Sequence, residues 1–590
     1  MQAQQANFLE FLQGKRPFVI PIYQRKYSWE KEHCEQLWND IIQCGENDLI
    51  PIHFIGSVVF VESSQYLKTT QTPLLLIDGQ QRVTSVTLLL SAVAESIEST
   101  EPFDGFTKSK IRNRYLIDPD EIGEKRFKLL LSETDKTTLM DLVEGKEPDK
   151  NNFSIRVKEN YDFFKKQIES NRSKLASLCK GLTKLMIVEI GLNRGQDNPQ
   201  LIFESMNSTG KDLSQADLIR NFVLMDLEHD FQTDLYKTFW HPMESGFVQN
   251  KFDEFMRHYL TTKTGIIPKI EKVYDEFKKY SHVIRSENED SQTHIKNLVI
   301  SLKDYAGYFC AMAFDKETDK ELKVAFYDLR ELKVDVAYPL LLEFYHDYAI
   351  GILPKSDFVT AIRWIESYVF RRAVCSIPTN SMNRTFATFS KGLKKEKDHY
   401  LESIAANFLL LPTYRSFPND ANFEHDIKIR DLYHFQKNKY WLRRLENYGR
   451  KELVAVEDYT IEHILPQNEN LNEDWRNDLG SNWEDIQQNY LHTLGNLTLT
   501  GYNASYSDHS FKIKRNLEGT GFKFSPLKMN EGLGGLEVWN EDAIKKRALQ
   551  LAKKALEVWQ IPVLSSTVLD SYRIDSQQVS SELDDTDSDD

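Results

Sequence analysis

The chain has 590 residues, of which 41% are hydrophobic and 28% charged, with a formal net charge of −15 at pH 7. At roughly 100–200 residues per domain this length allows three or four domains with cores of ordinary size, and the acidic excess excludes a protein that coats nucleic acid over its whole surface, so any nucleic-acid contact has to be local. The five cysteines are scattered without a CxxC pair, which argues against a structural zinc site or a disulfide framework and fits a reducing cytoplasm.

Along the chain, "MQAQQANFLEFLQGKRPF" lacks the basic start and apolar core of a signal peptide, and no apolar run has membrane-spanning length. The first two hundred residues mix strands and helices. In "IPIYQRKYSWEKEHCEQLWNDI" Pro21 enforces an extended start, and Tyr23, Gln24 and Arg25 then present an aromatic face, an amide and a guanidinium. "HFIGSVVFVE" and "TPLLLIDG" read as strands, and "QQRVTSVTLLLSAVAESI" as a helix. A buried strand therefore ends at Asp78, Gly79 permits close backbone approach, and the helix starts near Gln80 with Gln81 and Arg82 beside it. Free N–H groups at a helix start, with an arginine alongside, suit a phosphate. Asp78 repels one, so it suits a metal, a water or the helix cap. The sequence contains no GxxxxGK[ST] loop.

A polar turn, Asn207-Ser208-Thr209-Gly210, precedes a helix carrying Asp217, Arg220 and Asn221. From about 212 to 425 the pattern is mostly helical, with apolar residues at three- and four-residue spacing. "HFQKNKYWLRRLENYGRK" then joins six basic residues to four aromatics, a pattern shared by solvated helices and phosphate-contacting ones. Arg443 and Arg444 there, with Lys514 and Arg515 further on, are the candidate DNA contacts.

Past 426 the chain returns to α+β character. "YTIEHILPQN" runs as a strand into Glu462-His463 and is stopped by Pro466. "LGNLTLTGYNASYSDHSFKIKR" offers a turn at Gly495-Asn496, a second strand, Asn503 and a helix with Ser507 as its cap. A ββα unit of this order can hold one divalent ion. Glu462 and Asn503 supply oxygen ligands of the kind Mg²⁺ prefers. His463 stays off the metal as general base, and Asn496 fixes its imidazole through a backbone or side-chain contact. His492 reads as structural, and His509 is the alternative ligand to Asn503. From 563 the chain reads as an acidic disordered tail, its last twenty residues carrying seven acids against one arginine.

"EHILPQ", "LGNLTLTGYN" and the following "FKIKR" resemble the His-Asn-Asn form of the HNH (ββα-metal) nucleases. They come closest to the C-terminal domain of the GmrSD-type, BrxU-like, modification-dependent type IV restriction endonucleases. "IPIYQRKYSW", "FIGSVV", "IDGQQR" and "FESMNSTGKDLSQADLIRN" resemble the N-terminal domain of the same family, which is similar to the ParB/sulfiredoxin fold. The resemblance implies an α+β multidomain protein. Residues 1–211 form the nucleotide-binding and DNA-sensing domain, 212–425 a helical connection, 426–562 the HNH nuclease domain and 563–590 the tail.

It further implies a nucleoside triphosphate held by Tyr23, Gln24, Arg25, Asp78, Gly79, Gln80, Gln81, Arg82 and Asn207, with Asp78 and Arg82 serving hydrolysis. A nuclease site would use Mg²⁺, Mn²⁺ or another divalent ion. The substrate would be double-stranded phage DNA with hydroxymethylated or glucosylated cytosine, and the chain is compatible with a homodimer. Two other classes stay open at this point. One is a nucleotide-dependent DNA-binding sensor without cleavage; the other is an RNase-type toxin.

Overall fold

A computed structural model describes residues 1–573 apart from 63–72, 98–100, 194–196, 208–212, 226, 249–250, 287–288 and 397. The chain divides into two compact units, Met1–Ser245 with Ile284–Val299, and Gly246–Val283 with Ile300–Asp590. The expected boundary at 211/212 is therefore not a break between units, and the helical middle is shared out between them.

The first unit is built on a six-stranded mixed sheet: β1 (Gln2–Asn7), β2 (Phe18–Val19), β3 (His53–Glu62), β4 (Leu74–Asp78), β5 (Leu129–Leu130) and β6 (Leu185–Leu192), in the order β1-β6-β3-β4-β2-β5. β3 runs antiparallel to β4 and parallel to β6. The strand reading of "HFIGSVVFVE" and "LLLID" is met. The helix Gln80–Ser96 is buried on every side from Val83 to Ala94. Its apolar run Val83–Val93 requires this, because a helix that is hydrophobic all round has to lie inside the core. Phe8, Phe18, Leu76, Val86, Leu89 and Phe164 share that core.

The second unit is helical over most of its length and carries, before a last long helix (Glu541–Val558), a two-stranded antiparallel ribbon with short helices. β7 (Thr460–His463) pairs with β8 (Leu497–Thr500) so that Glu462 faces Thr498 and His463 faces Leu497. Helices Asn503–Tyr506 and Phe511–Asn516 follow. The cap of the second is Ser510 rather than Ser507, which sits at φ +41° between the two. Behind the ribbon lies a core of Ile464, Leu465, Trp475, Phe511, Trp539 and Ile544.

The expected tail does not begin at 563. Residues 566–573 are helical, and the buried Tyr572 donates its hydroxyl to Glu402 at 2.9 Å. Residues 574–590, which hold most of the acidic run, lie outside the described residues.

Candidate functional site

In the first unit the polar blocks converge at the end of β4. Gly79 has φ +90°, and a Cβ there would meet Ser57 O at 3.0 Å, so only glycine fits between β3 and the helix. The helix starts with no side-chain cap, which leaves its first N–H groups without a capping partner from a side chain. Burial lowers the pKa of Arg25, while the nearby carboxylates of Asp217 and Asp78 oppose that shift. These charges place "YQRKY", "IDGQQR" and "ADLIRN" at one locus. Arg220 is a strut rather than a reagent: its Nε donates to Tyr23 O at 2.7 Å, and it pairs with both Glu244 and Asp217.

Several residues expected to touch a nucleotide are committed to the fold instead. Tyr23 is buried. Gln24 donates to Ile77 O at 3.0 Å and receives Gln80 at 3.4 Å. Gln81 is buried and accepts the backbone N–H groups of Ser28 and Trp29. Arg82 donates to Ser57 O at 2.8 Å across Gly56, where a Cβ would lie 2.8 Å from the guanidinium carbon. Arg25, Asp78, Gln80 and Arg82 remain half-buried. The side chain of Asn207 lies outside the described residues.

Beside Arg25, Gln80 and Gln81 lies a cavity of ≈10 Å³, about the space of one water. A cleft of ≈800 Å³ adjoins Ile20–Tyr23 and Leu130–Glu133, with Lys136 and Lys237 in its wall. None of the five residues Asp78–Arg82 lines it. The reason is packing, since the "DGQQR" side chains tie β3, β4 and the "YQRKY" segment together.

In the second unit the ribbon opens a cleft of ≈250 Å³ lined by Glu462, His463, Gln467, Asn468, Asn503 and Asp508 among others. The residues expected from two distant blocks do meet. Glu462 is only 3% exposed and His463 5%. The Nζ of Lys514 donates to Glu462 Oε1 at 2.6 Å and to the carbonyls of His463 and Ile464. Burial pushes the Glu462 carboxyl up to about 7 against the opposing pull of Lys514. Burial first, then the charges of His492 and Lys514, hold His463 down to about 3. Its imidazole is therefore neutral at the pH where enzymes of the cell work.

Both ring nitrogens of His463 have partners. Nε2 meets His492 Nδ1 at 3.0 Å, and Nδ1 meets Gln467 Nε2 at 3.0 Å. Gln467 lines the cleft and His492 does not, so Nδ1 is the nitrogen on the cleft side. Asn503 spends its amide N–H on Ile461 O at 3.4 Å, which leaves its carbonyl oxygen available. His509 does not line the cleft.

Of the two contacts expected of Asn496, the backbone one is present and the residue does not touch the imidazole: it is fully buried and bonds the backbone of Leu465 and Leu491, clamping the turn that follows His463. Two readings are corrected here. Lys514 is buried as the counter-ion of Glu462, and Arg515 is buried on Leu536 O and paired with Glu537, so neither is placed to touch DNA. Arg443 and Arg444 point inward as well, onto Asp328 and Glu366, two acids buried inside the helical part. Two uncompensated carboxylates there would be costly, and the arginines neutralise them. Gln467, Asn468 and Asp508 went unnoticed in the sequence, although each lies within a block already singled out.

Taken together, an α+β chain with a ββα ribbon that gathers a carboxylate, an imidazole and an amide in one cleft has the outline of a nuclease. Comparison with known families agrees. The model of the GmrSD restriction endonuclease N-terminal domain matches residues 8–224, and that of the GmrSD restriction endonuclease C-terminal domain matches residues 417–554. The chain belongs to the GmrSD restriction endonuclease family, and its class of activity is that of a restriction nuclease, a hydrolase that acts on DNA. No curated protein matches the chain. Among the described residues no helix is long and apolar enough to cross a membrane.

Proposed function

We propose that the second unit is an HNH-type, metal-dependent DNA endonuclease. We propose further that the first unit, a ParB/sulfiredoxin-like domain, binds and hydrolyses a nucleoside triphosphate and senses phage DNA bearing hydroxymethylated or glucosylated cytosine. The observation that carries the reading is the single cleft shared by Glu462, His463 and Asn503.

The donors suit a hard cation. Lys514 occupies Oε1 of Glu462, leaving Oε2, and the Asn503 carbonyl and the Asp508 carboxylate complete an all-oxygen set in the cleft. Mg²⁺, Mn²⁺ or another divalent ion would be held by Glu462 and Asn503, where it would stabilise charge on the leaving oxygen of the phosphodiester. His463, neutral and with Nδ1 on the cleft side, takes the proton of the attacking water. Lys514 holds Glu462 in place and binds the carbonyl of His463, so one buried side chain fixes the direction of both.

The direct test is digestion of modified and unmodified phage DNA with and without nucleoside triphosphate and Mg²⁺. Cleavage of the modified DNA alone, dependent on both additions, is the expected result; equal cleavage of both DNAs would defeat the specificity. Glu462→Ala and Asn503→Ala are each expected to raise the Mg²⁺ or Mn²⁺ concentration that supports half-maximal cleavage, because each removes an oxygen ligand. Metal titrations of Asn503→Ala that overlay the wild type would move the ligand elsewhere in the cleft.

For the first unit, one guanidinium N–H of Arg82 goes to Ser57 O and the others can still reach a phosphate, so Arg82→Ala is expected to weaken nucleotide binding by roughly 10- to 100-fold, the value of a lost charge-assisted hydrogen bond. Asp78→Ala should reduce hydrolysis more than binding. Isothermal calorimetry with a non-hydrolysable triphosphate measures the first effect. An unchanged affinity in Arg82→Ala would take the nucleotide away from "DGQQR" and direct attention to the ≈800 Å³ cleft.

A further inference from the structure

Beside the oxygen-lined cleft, Asp431, His434 and His492 bring one ligand atom each to within 4.8 Å of one another. The backbone builds this arrangement. Asp431 Oδ1 accepts the N–H of His434 at 2.9 Å, and Asp431 Oδ2 meets His434 Nδ1 at 2.8 Å. The next residue, Leu432, donates its N–H to the carbonyl of His492 at 2.9 Å, which ties this turn to the segment leading into β8. The ring of Tyr433 stacks on His492 at 5.3 Å. Asp431 and His434 are exposed and His492 is half-buried, so an ion has a way in.

We propose that Asp431, His434 and His492 form a second cation site, for a borderline transition metal of the zinc class, and that its occupancy switches off His463. Two imidazoles and one carboxylate, with a coordination position left for water, are a zinc-type donor set, whereas Mg²⁺ selects oxygens. The two neighbouring sites thus divide cations by chemistry.

The switch follows from the tautomers. A neutral imidazole that ligates a metal through one nitrogen carries its proton on the other and donates it. His492 Nδ1 is engaged with His463, so the proposal puts the ion on His492 Nε2, which makes Nδ1–H the donor to His463 Nε2. A neutral His463 then carries its own proton on Nδ1, the cleft-side nitrogen, and has no lone pair there for water. Without the ion, His492 Nδ1 accepts from His463 Nε2–H, and Nδ1 of His463 is free to act as a base once Gln467 yields. The switch rests on the reading of His463 as general base; the cation site does not.

The test uses the full chain and Zn²⁺ alone, titrated in competition with a chromophoric chelator, for the wild type, His434→Ala and Asp431→Asn. Both substitutions are at exposed positions. Each is expected to weaken Zn²⁺ binding by at least about tenfold. Equal binding by all three proteins would overturn the site. Cleavage of modified DNA in Mg²⁺ and nucleoside triphosphate is then measured with and without Zn²⁺. Zn²⁺ is expected to slow the wild type at least about tenfold and to leave His434→Ala within about twofold of its own zinc-free rate. Equal inhibition of both would overturn the switch. If the wild type fails to cut modified DNA in Mg²⁺ and nucleoside triphosphate without Zn²⁺, the nuclease reading fails, while the titration still decides the cation site.

Discussion

His463→Ala is expected to lower the rate of DNA cleavage by about 10²–10⁴, the usual contribution of a positioned general base. The side chain is suited to that loss. It is neutral, because burial and the charges of His492 and Lys514 keep its pKa near 3, and its Nδ1 stands on the cleft side with only the Gln467 amide before it. Folding should survive the change. The ring contacts Tyr433, His492 and Gln467, and these partners are only partly buried, apart from Gln467, which is exposed. Loss of the ring therefore strands no fully buried polar group. Nicking of modified DNA in Mg²⁺ with nucleoside triphosphate, and nucleoside-triphosphate hydrolysis, should be measured on the same preparation. The expected outcome is lost nicking with intact hydrolysis, and partial recovery on adding imidazole would separate a missing base from a damaged fold. Nicking within tenfold of the wild type would remove His463 from the chemistry.

What the sequence discloses about this molecule depends on range. Local features were legible. The β-branched start of "YTIEH", the break at Pro466 and the turn at Gly495-Asn496 mark the strand ends that carry Glu462 and His463, and the ribbon appears where they indicate. The apolar run after "DGQQR" likewise required a buried helix.

Charge partners were not legible, because pairing is settled by tertiary contacts. Arg443 reads as an exposed base on an amphipathic helix, yet its partner Asp328 lies 115 residues earlier in the chain. Lys514 sits in a basic "KIKR" run, and only the folded ribbon shows it 2.6 Å from Glu462. The same applies to "DGQQR". Its motif is local, but Gln81 and Arg82 are used by the backbones of Ser28, Trp29 and Ser57, and no spacing rule reveals that use. The acidic net charge remains consistent with this arrangement, since three of the four candidate DNA-contacting residues, Arg443, Arg444 and Lys514, neutralise buried acids.

The second large effect is expected at Asn496. Its side chain is fully buried and makes four hydrogen bonds. Oδ1 accepts the N–H of Leu465 at 2.7 Å and the indole N–H of Trp539 at 3.2 Å, and Nδ2 donates to the carbonyls of Leu465 at 3.0 Å and Leu491 at 2.9 Å. These bonds fasten the turn after β7 to the entry of β8, so they hold the backbone that aims His463 without touching its ring. Asn496→Ala leaves those four groups without their partner, at about 1–3 kcal/mol for each buried one that finds no new partner. With partial relaxation, a total loss of about 3–5 kcal/mol is expected. Hydrogen exchange of a peptide spanning Tyr459–Asn468 reports it through the Leu465 amide. Exchange there should quicken by roughly 10²–10³-fold or more, at 1.4 kcal/mol per factor of ten. The Mg²⁺ concentration needed for any residual cleavage should stay near the wild-type value, because no ligand is lost. Unchanged exchange together with abolished cleavage would make Asn496 a participant in the chemistry and refute its role as a backbone clamp.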